Sequence, residues 1–254
     1  YPAEAFGRML DECRPDGVIV ASPDATHHTY VIAALARDLD VICEKPLTTD
    51  DAKCRAILAA AAASKGKVTV TFNYRYAPVA TTIRERILAG DVGRVVNVNL
   101  DWCLDTYHGS SYFMRWNRRR EQSGGLSVHK ATHHFDMVNW WIADVPKSVF
   151  ATGARRFYTP EQAARYGLTR RGERCLDCPE KARCPFFLDL AGNARLKRMY
   201  LDQERYDGYR RDQCIFSEAI DIEDTMNLAV EFRGGIRMSY SLNAFTPWEG
   251  YEIA

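Results

Sequence analysis

Strand and helix alternate through the first hundred residues, and that alternation limits the fold more than any other feature of the chain. "GVIVA" (17–21), "VIC" (41–43) and "VTVTF" (68–72) are short apolar runs of the kind found in buried parallel strands. Between them, Asp24 reads as an N-cap for a helix over 25–37, and Thr49 or Asp50 as the cap of an Ala-rich helix through 63. "APVATTIRERILAG" (77–90) reads as a further helix with Gly90 near its end. Strand, helix, strand at this spacing calls for right-handed crossovers and a parallel sheet.

After Gly93 the pattern changes. "RVVNVNLDW" (94–102) is a longer alternating strand, followed by a polar, basic stretch and one helix over about 126–142. Residues 153–215 are rich in charge and cysteine and read as a long insertion with short helices. "TMNLAVEF" (225–232) and "IRMSYSLNAF" (236–245) flank "RGG" and predict an antiparallel hairpin. The expected fold class is α/β: a partial Rossmann-type parallel sheet over 1–93, then an α+β domain over 94–254 with an open, mainly antiparallel sheet. The chain starts at Tyr1, in mid-helix by its pattern, and stops within a strand. It therefore reads as an interior piece of a longer protein, its second domain truncated at the C-terminus.

A net charge of +1 gives no reason to expect a nucleic-acid or membrane-surface partner. No apolar run approaches the ~20 residues of a membrane span. Eight cysteines without a regular framework fit a reducing cytoplasm.

Ligands of open parallel sheets sit outside the carboxyl ends of the strands. Three such ends are unusually polar here: Ser22-Pro23-Asp24-Ala25-Thr26-His27, Glu44-Lys45-Pro46 and Asn73-Tyr74-Arg75-Tyr76. One polar end is an ordinary solvated turn; three in succession favour a binding crevice. Lys45, backed by Glu44 and restricted to extended or turn geometry by Pro46, is placed to aim an ammonium group into it.

The run "SPDATHHTYVIAALARDLDVICEKPLTTD", followed in order by "SGGLSVHKATHHFDMVNWW" (123–141), resembles the Gfo/Idh/MocA family of nicotinamide-dependent oxidoreductases over almost the whole chain. The resemblance implies NAD or NADP as cofactor. It implies that Lys45 hydrogen-bonds the reacting hydroxyl or carbonyl at the junction of nicotinamide and substrate, and that the Lys45–Pro46 bond is cis. It also implies that the 22–24 turn (Ser22, Pro23, Asp24) and His27 line the cofactor crevice with Glu44, Lys45 and Pro46. Asn73 and Arg75 would face the nicotinamide end or the substrate.

Within 126–142, His129, His133 and Asp136 stand at i, i+4 and i+7 and so share one helix face, beside an apolar stripe of Phe135, Val138 and Ile142. Gly124 and Gly125 allow close backbone approach before the helix. Zinc chelation by the histidines ranks below a proton role, since no H-E-x-x-H occurs. In the family the helix carries Asp, then His four residues on, then Asp three further; here His129 takes the first place. His133 is then the expected general acid/base, near Lys45, with Asp136 deeper as an imidazole or backbone anchor. His129 is a second proton relay, a sugar-hydroxyl donor or the mark of a different substrate. Lys130 points off that face as a structural residue. Arg115 and Trp116, just before the glycines, are expected substrate contacts along with Lys45, Arg75, His129 and His133.

Cys175, Cys178 and Cys184 are compactly spaced, with Cys214 thirty residues on. They suit either a structural zinc or reduced thiols, and the metal assignment stays open. No G-x-G-x-x-G occurs in the chain, so the cradle for a dinucleotide pyrophosphate and the residue that sorts NAD from NADP are absent from it. Three readings follow: a dehydrogenase acting on a sugar, inositol or related polyol; a redox-neutral, NAD-using glycosidase-like enzyme; and a non-catalytic binding or regulatory member. A homo-oligomer built through the open sheet is expected in each case.

Overall fold

A computed structural model describes residues 1–254. The chain divides into two units, residues 1–91 with 121–141, and residues 92–120 with 142–254. In chain order the elements are α1 (Phe6–Cys13), β1 (Gly17–Val20), α2 (His27–Leu35), β2 (Asp40–Cys43), α3 (Asp51–Ala63), β3 (Val68–Val70), α4 (Pro78–Leu88), β4 (Asn97–Asp105), α5 (Thr106–Met114), α6 (Arg120–Ser123), α7 (Leu126–His129) and α8 (Thr132–Ile142). They continue with β5 (Pro146–Ala154), α9 (Pro160–Arg165), α10 (Ala194–Met199), α11 (Glu204–Asp207), β6 (Thr225–Phe232), β7 (Arg237–Thr246) and β8 (Gly250–Ile253).

In the first unit, β1, β2 and β3 form a parallel sheet in that order, as the alternating pattern requires. Val20, Val41 and Cys43 point to one face and pack with Val31, Ala34 and Leu35 of α2 and Ile57 of α3. Ile19 and Ile42 project from the opposite face and are exposed. Asp50 caps α3, its carboxylate accepting from Lys53 N at 2.9 Å, and Pro78 occupies the first turn of α4, where its missing N–H removes nothing. Asp24 departs from expectation. Residues Asp24–Thr26 form a 3-10 turn, α2 starts only at His27, and the Asp24 carboxylate caps nothing there.

The expected single helix over 126–142 is broken. The last N–H groups of α7 reach back to Gly125 and Leu126, Ala131 N also bonds Leu126 O at 2.8 Å, and α8 begins afresh at Thr132. By its contacts 121–141 belongs with the parallel-sheet unit rather than with the rest of 94–254. Trp141 pins α8 to α4, donating from its buried Nε1 to Ala80 O at 2.8 Å. Gly124 makes this placement possible. Its φ is +72°, and a Cβ there would lie 2.8 Å from the Thr49 carbonyl oxygen and 2.7 Å from Val128 Cβ.

The second unit holds a five-stranded sheet in the order β5-β6-β7-β4-β8, antiparallel except where β4 runs parallel to β7. The β6–β7 hairpin forms as the "RGG" turn predicts, with Gly235 at φ +87°. Strand β5 and helix α5 are additions to the sequence reading. β5 is an edge strand exposed along almost its whole length, so no buried alternation marks it.

The irregular segment between β5 and β6 is organised around buried charge. Arg174, 9% exposed, donates to Asp212 (2.6 Å) and Glu204 (2.5 Å), and Asp212, wholly buried, also accepts from Leu176 N. Asp224, also wholly buried, accepts from the N–H groups of Arg156, Phe157 and Tyr158 at 2.7–2.9 Å. Replacing it with Ala leaves the buried N–H of Tyr158 unpaired, at a cost of about 1–3 kcal/mol, while the part-buried N–H groups of Arg156 and Phe157 are nearer to water. Asp224→Ala should therefore lower stability by about 1–3 kcal/mol, read as a fall in the urea midpoint of the second unit's transition. A variant with an unchanged midpoint would show that water replaces the carboxylate freely.

Candidate functional site

The carboxyl ends of β1, β2 and β3 converge on the segment 124–136 inside the first unit. The end of β1 is held to the end of β2 by His27. Its ring is wholly buried, with Nε2 2.8 Å from Ser22 O and Nδ1 2.9 Å from Pro46 O. Both partners are acceptors and a neutral ring donates only once, so one of these contacts is a true hydrogen bond unless the ring is protonated. His27 thus fixes the two loops to each other, with both ring nitrogens against backbone carbonyls. Ser22 accepts from the Thr26 hydroxyl at 2.7 Å, Pro23, Glu44 and Asn73 are exposed, and Pro46 is buried behind a cis peptide from Lys45.

Lys45 leaves the end of β2 and its Nζ donates to the backbone oxygen of His129 at 2.8 Å. The His129 ring is held from the other side: Nδ1 lies 2.5 Å from Oδ2 of Asp24, with the side chains 12% and 5% exposed. One residue of α7 is thereby tied to two strand ends, by its main chain to β2 and by its ring to the turn after β1.

His133 sits differently. Its ring stacks on Tyr74 with centroids 4.1 Å apart and planes 9° from parallel, and Phe72 meets it edge-on at 6.2 Å. Burial, reinforced by the positive charges of Lys45 and Lys130 and by His129, pushes its pKa down to about 3. His134, fully buried, is lowered too, again chiefly by burial. Both rings are neutral at physiological pH.

Asp136 and Arg75 pair with each other, through Nε–Oδ2 at 2.7 Å and Nη2–Oδ1 at 2.5 Å. The guanidinium also lies over the rings of Trp140 and Phe72. Asp136 therefore anchors α8 to the turn after β3 and holds no imidazole, and Arg75 commits two of its nitrogens to that anchor. Lys130, expected as a structural residue off the His129 face, is 4% exposed and donates from Nζ to the Tyr74 hydroxyl at 2.9 Å. On a continuous helix it would point off the His129 face; the break after α7 turns it inward. No sequence signal marks that break. Arg115 and Trp116 belong to the second unit, between α5 and a 3-10 turn, with the Arg115 guanidinium over the Tyr112 ring at 5.8 Å.

The strand ends also leave buried polar atoms without partners in the chain: Thr48 Oγ1, Thr71 Oγ1 and His133 Nδ1. Buried polar groups are nearly always satisfied, so these atoms, with the Lys45 ammonium, fit a bound group rich in hydroxyl and amide functions. Nothing in the chain supplies a glycine cradle for the pyrophosphate. A cavity of about 470 Å³ runs along the same edge, lined by Pro46, Thr49, Cys54, Phe72, Val128 and Thr132 among others.

In the second unit, Cys175, Cys178, Cys184 and Cys214 line one small cavity of about 20 Å³. All eight cysteines of the chain are free, and no three His, Cys, Asp or Glu side chains are grouped to hold a metal ion. Gly172 N donates to Cys178 Sγ at 3.3 Å, and burial pushes the Cys175 thiol up to about 12.

Residues 3–72 match the family model described as oxidoreductase family, NAD-binding Rossmann fold, and residues 84–253 match that of the oxidoreductase family C-terminal alpha/beta domain. The chain belongs to the Gfo/Idh/MocA oxidoreductase family. It is 45% identical over its whole length to the Bacillus subtilis (strain 168) protein named oxidoreductase YteT, of which it covers 61%. It is 28% identical to an inositol 2-dehydrogenase of Rubrobacter xylanophilus over 59% of this chain and 42% of that one. The chain thus spans about two fifths to three fifths of these relatives. Among solved structures, levoglucosan dehydrogenase with NADH and levoglucosan superposes with a TM-score of 0.64 at 18% identity, covering 97% of this chain and 54% of that one. WlbA dehydrogenase of Bordetella pertussis with NADH and UDP-GlcNAcA gives 0.66 at 18% identity, over 98% and 60%. At these identities the likeness is one of fold. No helix of the chain is long and apolar enough to cross a membrane.

The buried neutral imidazoles make the first unit acid-sensitive. A His133 ring that protonates near 3 when folded and near its usual 6.5 when unfolded adds stability that is complete above about pH 6.5 and is lost as pH falls towards 3. Phe is accommodated against Tyr74 without that titration. Between pH 7 and pH 4, wild type should lose on the order of 2–4 kcal/mol more than His133→Phe, measured by urea unfolding at each pH. Equal losses in the two proteins would place the acid sensitivity elsewhere.

Proposed function

We propose that this chain forms the reacting part of a dehydrogenase that oxidises a secondary alcohol of a sugar, inositol or related polyol with NAD or NADP. The observation that carries this reading is Lys45. A strand-end ammonium held against the backbone of His129 is fixed in direction, and so can meet a substrate hydroxyl in one geometry. The chemistry that a bound nicotinamide would supply is acceptance of hydride from the carbinol carbon. The chain's own residues have to hold the hydroxyl, order the site and move the remaining proton. Thr48, Thr71 and His133 offer the polar atoms that a polyol's other hydroxyls need, and the inositol 2-dehydrogenases among the relatives support that substrate class.

Eight free thiols favour a cytoplasmic setting. The exposed apolar side chains Val96, Val149 and Phe150 of the second unit support association of copies through its open sheet.

The test is made on the full-length protein, with NADH or NADPH formation followed against myo-inositol, aldoses and 1,6-anhydro sugars. Lys45→Ala should lower kcat by ~10²–10⁴-fold while the affinity for the nicotinamide cofactor changes by only a few-fold. A full-length protein that binds neither cofactor would end the dehydrogenase reading, and near wild-type turnover in Lys45→Ala would remove Lys45 from the reacting centre.

A further inference from the structure

The second unit has a cavity of its own, of about 630 Å³, within the ~300–1,000 Å³ of small-molecule sites. Helix α5 and the irregular segment about Phe186 line it, together with Arg211 and Glu249. Helix α5 is not free to move into this space. A Cβ on Gly109 would run into the Ala244 carbonyl oxygen, so the helix is pressed against β7. Asp105 caps its first turn, accepting from His108 N at 2.7 Å.

Arg211 is the cation of the cavity, and its backbone is pinned on both sides. Gln213 N donates to Met114 O at 3.2 Å, and Cys175 N donates to Asp212 O at 2.8 Å. The neighbouring carboxylate, Asp212, is taken up by Arg174. Arg211 is left with Ser111 Oγ at 3.5 Å and Met114 Sδ at 3.9 Å, and with the Tyr200 ring at 5.8 Å. Both polar contacts stand at the outer limit of hydrogen bonding. A part-buried guanidinium with five donors and no carboxylate against them is matched to an anion, and its planar fork to a carboxylate.

The same cavity carries one negative charge. Glu249 Oε1 lies 2.8 Å from His108 Nδ1, and His108 Nε2 lies 3.1 Å from the Tyr112 hydroxyl, so the ring holds the carboxylate in place. Oε2 is left to accept from a ligand. A phosphate dianion gains from Arg211 and is repelled by Glu249. A monoanion with hydroxyl groups satisfies both, its carboxylate on the Arg211 fork and a hydroxyl donating to Glu249. The hydroxyls of Thr106 and Ser111 add further partners, and Phe187 and Leu188 supply an apolar wall for the C–H face of a ring.

We propose that this cavity binds a sugar acid, with the carboxylate of a uronate seated on Arg211, and that Arg211 sets the preference for the acid over the neutral sugar. The step from a hydroxy acid to a sugar acid rests on the polyol class proposed above; the charge preference rests on the cavity alone.

The test is isothermal titration calorimetry on the full-length protein, with D-galacturonate, D-glucuronate, the two matching neutral sugars, D-glucose 6-phosphate and L-alanine as probes. It involves no cofactor and no turnover, so its failure is distinct from failure of the dehydrogenase reading. At least one uronate should bind tenfold or more tighter than its neutral counterpart. In Arg211→Gln that uronate should lose ~10–100-fold in affinity, the range of a charge-assisted pair, while the neutral sugar changes by no more than a few-fold. Arg211→Lys keeps the charge without the fork and should fall between the two. It also serves as the second variant if thermal unfolding shows that Arg211→Gln has lost its fold. Glu249→Gln should narrow the gap between the uronate and glucose 6-phosphate. The assignment is overturned if neither uronate binds, if uronate and neutral sugar bind alike, or if glucose 6-phosphate or alanine binds wild type as tightly as the uronate. An Arg211→Gln protein that folds and keeps the preference would also overturn it.

Discussion

A single backbone oxygen, that of His129, accepts the ammonium of Lys45, and much of the carboxyl edge of the parallel sheet depends on that bond. It joins the end of β2 to a segment more than eighty residues further along the chain. The Asp24–His129 pair does the same from the end of β1, and Arg75–Asp136 from the end of β3. Three strand ends are thus each tied to 124–136 by a charged group. Charge-assisted bonds of this kind are shorter and stronger than neutral ones, and more so where water is excluded. The glycines before α7 are a precondition, because only a residue without Cβ lets the main chain pass the Thr49 carbonyl this closely.

The electrostatics of the edge follow from this crossing. Two ammonium groups, Lys45 and Lys130, are brought in beside two imidazoles, and the two available carboxylates are distributed unequally. Asp24 faces His129, Asp136 faces Arg75, and no carboxylate pairs with His133. Groups of one chemical type meet different surroundings: the His129 ring has a carboxylate against Nδ1, while the His133 ring is stacked on Tyr74 and kept neutral by burial. The i, i+4 spacing of His129 and His133 does not report this difference. On an unbroken helix both rings would share one face, and the break between α7 and α8 gives each its own environment.

The second unit relies on the same economy of buried charge where regular structure is sparse. Asp224 gathers three backbone N–H groups, and Arg174 draws Asp212 and Glu204 around the irregular segment. The four cysteines of that region line a common cavity as thiols, so ion pairs and capped backbone, together with packed aromatic rings such as Phe157, Phe186 and Phe216, give the segment its order.

By itself the sequence determined the parallel sheet, its helices, the β6–β7 hairpin and the family, because hydrophobic periodicity, caps and turn glycines are local and the two signature runs are contiguous. It also marked Lys45, since a charge at the end of an apolar strand and before a proline is visible without any partner. It placed Asp24 as a helix cap, where the structure sets it against His129, it took Lys130 as a structural residue without its Tyr74 partner, and it did not mark the edge strand β5. Each of these turned on a contact between residues far apart in the chain or on exposure that leaves no periodic trace. Which side chains are charged, which are clamped and which are paired was decided only by the tertiary structure, because a pKa and a hydrogen bond belong to an environment and not to a residue type.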